Sequence, residues 1–252
     1  MFTWKDVLMG MLGWSALVLV PLVIAAIAYL CGCFNGAIIV SKYILRDDVR
    51  THGSGNAGLT NFHRTFGGKL TAVVLLLDVL KMVAAIFLSL GILVMVQYVS
   101  VGGAIFVYVG HYHFQFNQWW ELDPNLVLLA KYWAGTWCLL GHMFPATFDF
   151  KGGKGVLSGV TLMFCLDWRM GLIALGLFIA AVVLTRYISL GSCLGAVSFP
   201  VGTWLFVTRD NWIVLSLSVL LGALVVFMHR GNLRRMVKGE ERKFSLHHKD
   251  KK

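Results

Sequence analysis

The chain has 252 residues, with 22 Lys and Arg against 12 Asp and Glu and a formal charge of +10. Hydrophobic residues make up 58% and charged residues 13%, where soluble domains carry roughly 25% charged; mean hydropathy is +0.75. These values exclude a disordered chain, a basic nucleic-acid-binding domain and an ordinary soluble enzyme. No charge lies between Asp6 and Lys42 or between Arg186 and Arg209, and roughly 20 apolar helical residues cross a bilayer core. The chain reads as an all-α integral membrane protein, a single polytopic domain over 1–252.

In chain order, seven transmembrane helices are expected at about 12–34, 70–96, 126–146, 155–167, 169–187, 190–207 and 212–228. Before the first, one Lys precedes a long apolar run with no clear cleavage site, so it reads as a retained span, not a signal peptide. The segment 155–167 is short for a full span; it is either tilted or paired with 169–187 through Asp167-Trp168-Arg169. The stretch 98–125 is rich in aromatics and carries Gln115, Asn117 and Gln118, which suits an interfacial insertion. Cys31, Cys33, Cys138, Cys165 and Cys193 all sit in apolar stretches without zinc-type spacing, so they read as inert thiols, and no metal is expected.

Lys and Arg set the orientation. With the C-terminus inside, the inner segments carry seventeen Lys and Arg and the outer face four, Lys5, Lys131, Arg169 and Arg209. That bias places the N-terminus outside and the C-terminus in the cytoplasm.

The inner segments, 50–69, 149–155, 186–192 and 229–241, are unlike ordinary connectors. The first contains Gly53-Ser54-Gly55-Asn56-Ala57-Gly58-Leu59-Thr60-Asn61 and then Arg64. Closely spaced glycines let backbone amides converge on an anion. Ser54, Asn56, Thr60 and Asn61 add short donors, and Arg64 can hold a phosphate by two parallel bonds. The alternative is a flexible turn. The second, Lys151-Gly152-Gly153-Lys154-Gly155, resembles a phosphate loop at a helix start but lacks the Walker pattern, since Gly153-Lys154 is followed by Gly155. In the third, His229 and Asn232 are three apart and share a face if the last helix continues. Inside the second span, Asp78 and Lys81 read as a structural ion pair at i,i+3.

At these motifs the chain resembles the bacterial acyl-phosphate:glycerol-3-phosphate acyltransferases, the PlsY family. The resemblance runs from Gly53 through Arg64, then Leu77-Asp78-x-Leu80-Lys81 and Gly141-His142-x-Phe144-Pro145. It continues with Phe150 to Val156, Arg186-Tyr187-x-Ser189-Leu190, His229-Arg230-x-Asn232 and Gly239-x-Glu241. It implies a multi-pass bacterial cell-membrane enzyme with its active site on the cytoplasmic face. Such an enzyme moves a fatty acyl group from acyl phosphate to the sn-1 hydroxyl of glycerol 3-phosphate, with no cofactor; its partners are these substrates and membrane lipids.

By the same resemblance Ser54, Arg64, Lys154 and His229 are catalytic. Gly53, Gly55, Asn56, Thr60, Asn61, Lys151, Gly152, Gly153, Gly155, Ser192 and Asn232 bind substrate or phosphate, with Ser189 the alternative to Ser192, and Glu241 is structural. The base is His229 or a substrate phosphate oxygen. The His-x-x-x-x-Asp signature of acyltransferases that use thioester donors is absent. The competing function is a transporter of a small phosphorylated anion or lipid, which calls for polar groups along a path at mid-membrane; Asp78 and Lys81 are the pair available. A monomer is compatible with this reading.

Overall fold

The computed structural model describes residues 4–101, 108–109, 112–113 and 123–244, with side-chain surroundings for 18–96 and 123–244. The expected insertion at 98–125 and the tail beyond Phe244 therefore lie largely outside the described residues; a short pairing of β1 (Tyr108–Val109) with β2 (Tyr112–His113) is seen within the former.

Ten helices are described. The long apolar ones are α1 (Trp4–Cys33), α4 (Leu70–Val101), α5 (Pro124–Met143), α7 (Trp168–Thr185), α8 (Ile188–Gly202, extended by a π turn to Val207) and α9 (Trp212–Met228). Shorter pieces are α2 (Gly36–Ile39), α3 (Leu59–Phe66), α6 (Val156–Leu166) and α10 (Arg230–Val237). By length and apolarity alone α4, α7 and α8 are each sufficient to cross a membrane. Counting the bent pairs α1 with α2 and its π turn, and α9 with α10, raises the number to five.

Helix starts follow capping chemistry. Asp123 accepts from the amides of Asn125 and Leu126 before Pro124 opens α5, Asp167 caps α7, and Asn211 caps α9 through the Val214 amide. Each satisfies amides that have no partner inside the helix. At the other end of α7, Arg186 takes a left-handed conformation (φ 63°) and stops the helix.

Lipid is as apolar as a leucine side chain, so helices associate by close packing and small residues sit at the contacts. α1 and α5 show this most strongly. A Cβ on Gly32 would lie 2.1 Å from the Cys138 carbonyl oxygen, and one on Gly141 2.2 Å from that of Tyr29. The larger core, built on Met82, Tyr132, Leu139, Leu162, Met170 and Leu221, fills the centre of the bundle. A smaller one, including Ile38, Val49, Ala57, Phe62 and Val74, sits under the first inner loop. All five cysteines are free.

Two points that the sequence left open are decided. The segment 155–167 is an 11-residue helix, about 16 Å long. It forms a hairpin with α7 through the Asp167 turn, Phe164 packing over Gly171. The last helix does not continue through His229: α10 turns away from α9 by 53°. His229 stands at that bend and Asn232 beyond it, and both line the cavity described below.

Candidate active site

A cavity of about 550 Å³ opens at one end of the bundle. Its wall combines the 53–61 loop, Arg64, Lys154, the starts of α3, α6 and α8, the α9–α10 junction and a strap over 240–242. Leu59 and Thr60, Val156 and Leu157, and Ile188 and Ser189 are the first-turn residues that line it. Three helix N-termini thus border one space, each with unpaired amides and the positive end of its dipole.

In the first loop, Asn61 is the organiser. Its Oδ1 accepts from the Ser54 amide at 3.0 Å, and its Nδ2 donates to the carbonyls of Val49 and His52, both at 3.0 Å. Gly53 (φ 60°) passes so close that a Cβ would sit 2.3 Å from Asn61 Oδ1. The side chain expected to bind phosphate is instead consumed in shaping the loop. Ser54, Asn56 and Thr60 line the cavity, and their side chains have no hydrogen-bond partner among the described residues. Gly55 (φ 68°) serves the turn and does not line the cavity. Arg50, bidentate to Asp48, donates to the Phe148 carbonyl at 2.8 Å and ties this loop to the second.

The second loop corrects its expectation more strongly. The amides of Gly152 and Gly153 donate to the Met143 and His142 carbonyls, at 3.1 and 3.0 Å, satisfying the end of α5. A Cβ on Gly152 would meet the His142 oxygen at 2.0 Å. These two amides are unavailable to an anion, and Lys151 is exposed away from the cavity. What the loop delivers is Gly155 (φ 78°), which starts α6, and the half-buried Lys154.

Lys154 Nζ donates to Asn232 Oδ1. Asn232 Nδ2 donates to Glu241 Oε1 at 2.6 Å, Ser189 Oγ to the same oxygen at 2.7 Å, and Arg235 Nε to Oε2 at 2.9 Å. Glu241 thus fastens the strap across α8 and α10, and the Phe244 amide adds a bond to the Arg186 carbonyl at 2.7 Å. Burial alone raises the Glu241 pKa, but the bonds from Asn232, Ser189 and Arg235 outweigh it and hold the group below the usual carboxylate range. Burial pushes the Lys154 ammonium down, with Glu241 opposing and Arg235 adding to the effect. Ser192 also lines the cavity, its hydroxyl bonded to the Ile188 carbonyl.

His229 Nδ1 lies 2.8 Å from the Val225 carbonyl, which can only accept. The proton is therefore on Nδ1 and Nε2 keeps its lone pair. Burial, then the Lys154 cation, hold this imidazole below its ordinary pKa against the Val225 bond and Glu241. It lines the cavity as a neutral acceptor. Arg64, exposed to the cavity, has no hydrogen bond or ion pair among the described residues; Arg242 on the strap, also lining the cavity, is a like charge beside it.

Beneath the loops, Asp78 and Lys81 are more than the isolated pair expected. Lys81 Nζ donates to Asp78 Oδ1 at 2.7 Å and to His142 Nδ1 at 2.6 Å, and the Gly36 amide reaches Asp78 Oδ1 at 3.3 Å. Asp78 and His142 both line the cavity. Sequence reasoning missed His142, Arg235 and Arg242. The Gly141-His142 motif was the available signal for the first; nothing local marks the arginines.

Next to the polar cavity runs a narrow apolar slot of about 30 Å³ between α5, α6, α7, α8 and α9. Gly155, Val156, Val160, Phe178 and Ser192 belong to both walls. The slot is floored by Leu139, Phe199 and Leu221.

Fold and site define an integral membrane protein whose anion-suited cavity adjoins an apolar slot. A family model described as glycerol-3-phosphate acyltransferase matches residues 22–239. The glycerol-3-phosphate acyltransferase of Thermoanaerobacter pseudethanolicus is 36% identical over 219 residues, covering 87% of this chain and 93% of the relative. That of Clostridioides difficile is 34% identical, covering 88% and 94%. The crystal structure of PlsY (YgiH), an integral membrane glycerol 3-phosphate acyltransferase in its glycerol 3-phosphate form, superposes with a TM-score of 0.69 at 26% identity, over 89% of this chain and 96% of that one. Its lysophosphatidic acid form gives 0.66 at 25%. The chain belongs to the glycerol-3-phosphate acyltransferase family.

Proposed function

We propose that this protein transfers a fatty acyl group from acyl phosphate to the sn-1 hydroxyl of glycerol 3-phosphate, releasing lysophosphatidic acid and phosphate. It does so as a seven-span protein of the bacterial cell membrane, with the N-terminus outside and the cavity on the cytoplasmic face. The observation that carries this reading is the adjacency of a cationic cavity, bordered by three helix starts, to a slot lined by apolar residues. One substrate is wholly polar and the other is a phosphate on an apolar tail, and the two environments match that pair.

The mechanism follows from the inventory. Arg64 and Lys154, with the first amides of α3 and α6, hold the phosphates; Ser54 and Thr60 supply hydroxyls; Asn232 and His229 orient glycerol 3-phosphate. Bringing the hydroxyl and the carbonyl together in fixed geometry removes much of the entropic barrier. Cations and dipoles aimed at the departing phosphate stabilise the charge that develops there. An acyl phosphate is already an activated mixed anhydride, so direct attack suffices. The hydroxyl proton goes to His229 Nε2 or to a phosphate oxygen of the donor. His229→Gln separates these: loss of turnover with retained glycerol 3-phosphate binding identifies His229 as the base.

The test is purified protein with palmitoyl phosphate and glycerol 3-phosphate, following phosphate and lysophosphatidic acid, with palmitoyl-CoA as the alternative donor. Equal amounts of both products, absent with the thioester, are expected. Absence of turnover in folded protein would refute the assignment.

A further inference from the structure

We propose that His142 is a further catalytic residue, donating its Nε2–H to the carbonyl oxygen of the acyl donor as negative charge develops there. The proposal rests on the acyl-transfer reading above and assigns one of its unfilled roles.

His142 is 4% exposed, in the last turn of α5. Its Nδ1 lies 2.6 Å from Lys81 Nζ, and an ammonium has only donors. Nδ1 must accept, so the imidazole is neutral with its proton on Nε2. Asp78, 1% exposed and bonded to Lys81, balances the buried charge. Nε2 has no hydrogen-bond partner among the described residues. Nor is it sealed off: the buried side-chain polar atoms without a partner are Trp137 Nε1 and Ser158 Oγ, while His142 borders the cavity. A buried ring is thus clamped on one nitrogen and presents an unused donor to the substrate space with the other. The backbone of Gly153 packs beside that nitrogen, and a Cβ there would lie 2.2 Å from Nε2 and displace the ring.

Position selects the carbonyl. Leu139, one turn earlier on the same face of α5, floors the apolar slot, whereas His142 borders the polar cavity. An acyl phosphate lying across this junction has its carbonyl between the phosphate and the tail. Phosphate oxygens are served by the cations Arg64 and Lys154, and a neutral donor suits a carbonyl that is uncharged in the ground state. Lys81, pulling on Nδ1, polarises Nε2–H while preventing a full imidazolium. The hydroxyl oxygen bonds to the carbonyl carbon and gives its proton to His229 Nε2 or to a phosphate oxygen of the donor, the bond from that carbon to the bridging oxygen breaks, and its electron pair leaves with phosphate. The His142 proton stays on Nε2 throughout.

Wild type, His142→Phe and His142→Asn are compared with palmitoyl phosphate and glycerol 3-phosphate. Binding of the non-cleavable palmitoyl phosphonate, with methylene in place of the bridging oxygen, and the melting temperature are measured alongside. Expected is a fall of roughly 10²–10³-fold in kcat for His142→Phe, with KM and phosphonate binding within about threefold, and partial recovery in His142→Asn, which retains an acceptor and a donor. A kcat within about threefold of wild type in His142→Phe overturns the proposal, as does a loss matched by equal losses in phosphonate binding and melting temperature. If neither variant folds, nitrogen NMR of unaltered protein decides. A neutral Nε2–H tautomer whose resonance moves on adding the phosphonate supports the role, and an Nδ1–H tautomer or an unmoved resonance rejects it. Wild type that turns over while His142→Phe matches it refutes this role alone; inactive wild type refutes the acyl-transfer reading itself.

Discussion

The two glycine-rich inner loops look alike as strings of letters, and the structure gives them opposite jobs. The 53–61 loop leaves Ser54, Asn56 and Thr60 facing the cavity and spends one residue, Asn61, on holding its shape. The 151–155 loop spends its glycine amides on the end of α5 and contributes one side chain, Lys154. Glycine serves conformation in the first, with positive φ at 53 and 55; in the second Gly155 (φ 78°) does the same at the helix start, while Gly152 and Gly153 serve proximity, where no Cβ fits against His142. A glycine-rich segment near an anion site can therefore be the ligand or the mount for a ligand, and only its hydrogen bonds distinguish the two.

If the second loop is a mount for one lysine, Lys154→Met should lower kcat by roughly 10²–10³-fold, the scale for removing a positioned electrostatic donor; phosphate release measures it. Gly153→Ala should do indirectly what Lys154→Met does directly. Its methyl would meet His142 Nε2 and the Ala57 oxygen, at 2.2 and 2.8 Å. A drop of about tenfold or more in kcat, together with a lower melting temperature, is the expected result. Unchanged activity there would mean that the loop is not the mount.

In the first loop, Asn61→Ala removes three bonds to backbone and should raise KM for glycerol 3-phosphate about tenfold, equivalent to about 1.4 kcal/mol of binding, with a smaller effect on kcat. Steady-state kinetics with either substrate varied reads that split. Lys151→Ala, at an exposed site off the cavity, should change kcat/KM by less than about twofold; a larger loss would return Lys151 to the phosphate site.

A pH series tests the clamp that holds the Lys154 side of the cavity. The folded pKa of Glu241 is below its ordinary value, 4.5. Its contribution to stability is therefore complete above that value and is lost as pH falls through the folded pKa. Wild type should lose melting temperature on acidification below the usual carboxylate range, and Glu241→Gln should flatten that dependence.

Much of the architecture is legible from hydropathy, because a bilayer rewards long apolar blocks: each of the seven apolar stretches is a helix in the structure. Ends and bends were less so. The break at His229 falls within polar sequence that a helix could continue, and the Nδ1 bond to Val225 that accompanies it depends on local geometry. Within the site, Ser54, Arg64, Lys154, His229 and Asn232 do converge on one cavity. The roles of Gly152, Gly153 and Asn61 could not be read, since hydrogen-bond partners are a tertiary fact. His142 stands in a visible motif, but its partner does not show: Lys81 lies 61 residues earlier, and neither residue's neighbours in sequence announce the other.

The unequal arms of the α6–α7 hairpin have one more implication. Val160 on α6 and Ala174 on α7 share the slot, and Phe164 meets Gly171 nearer the turn, so the arms run antiparallel. With 11 residues against 18, the start of α6 lies about 10 Å short of the end of α7. On the proposed orientation, Lys154 and Gly155 sit sunk below the inner rim marked by Arg186. A lipid-borne donor then reaches the reacting groups without leaving its leaflet. Hauling its tail into water would cost about 0.8 kcal/mol for every methylene, a toll that a sunken floor removes from each turnover.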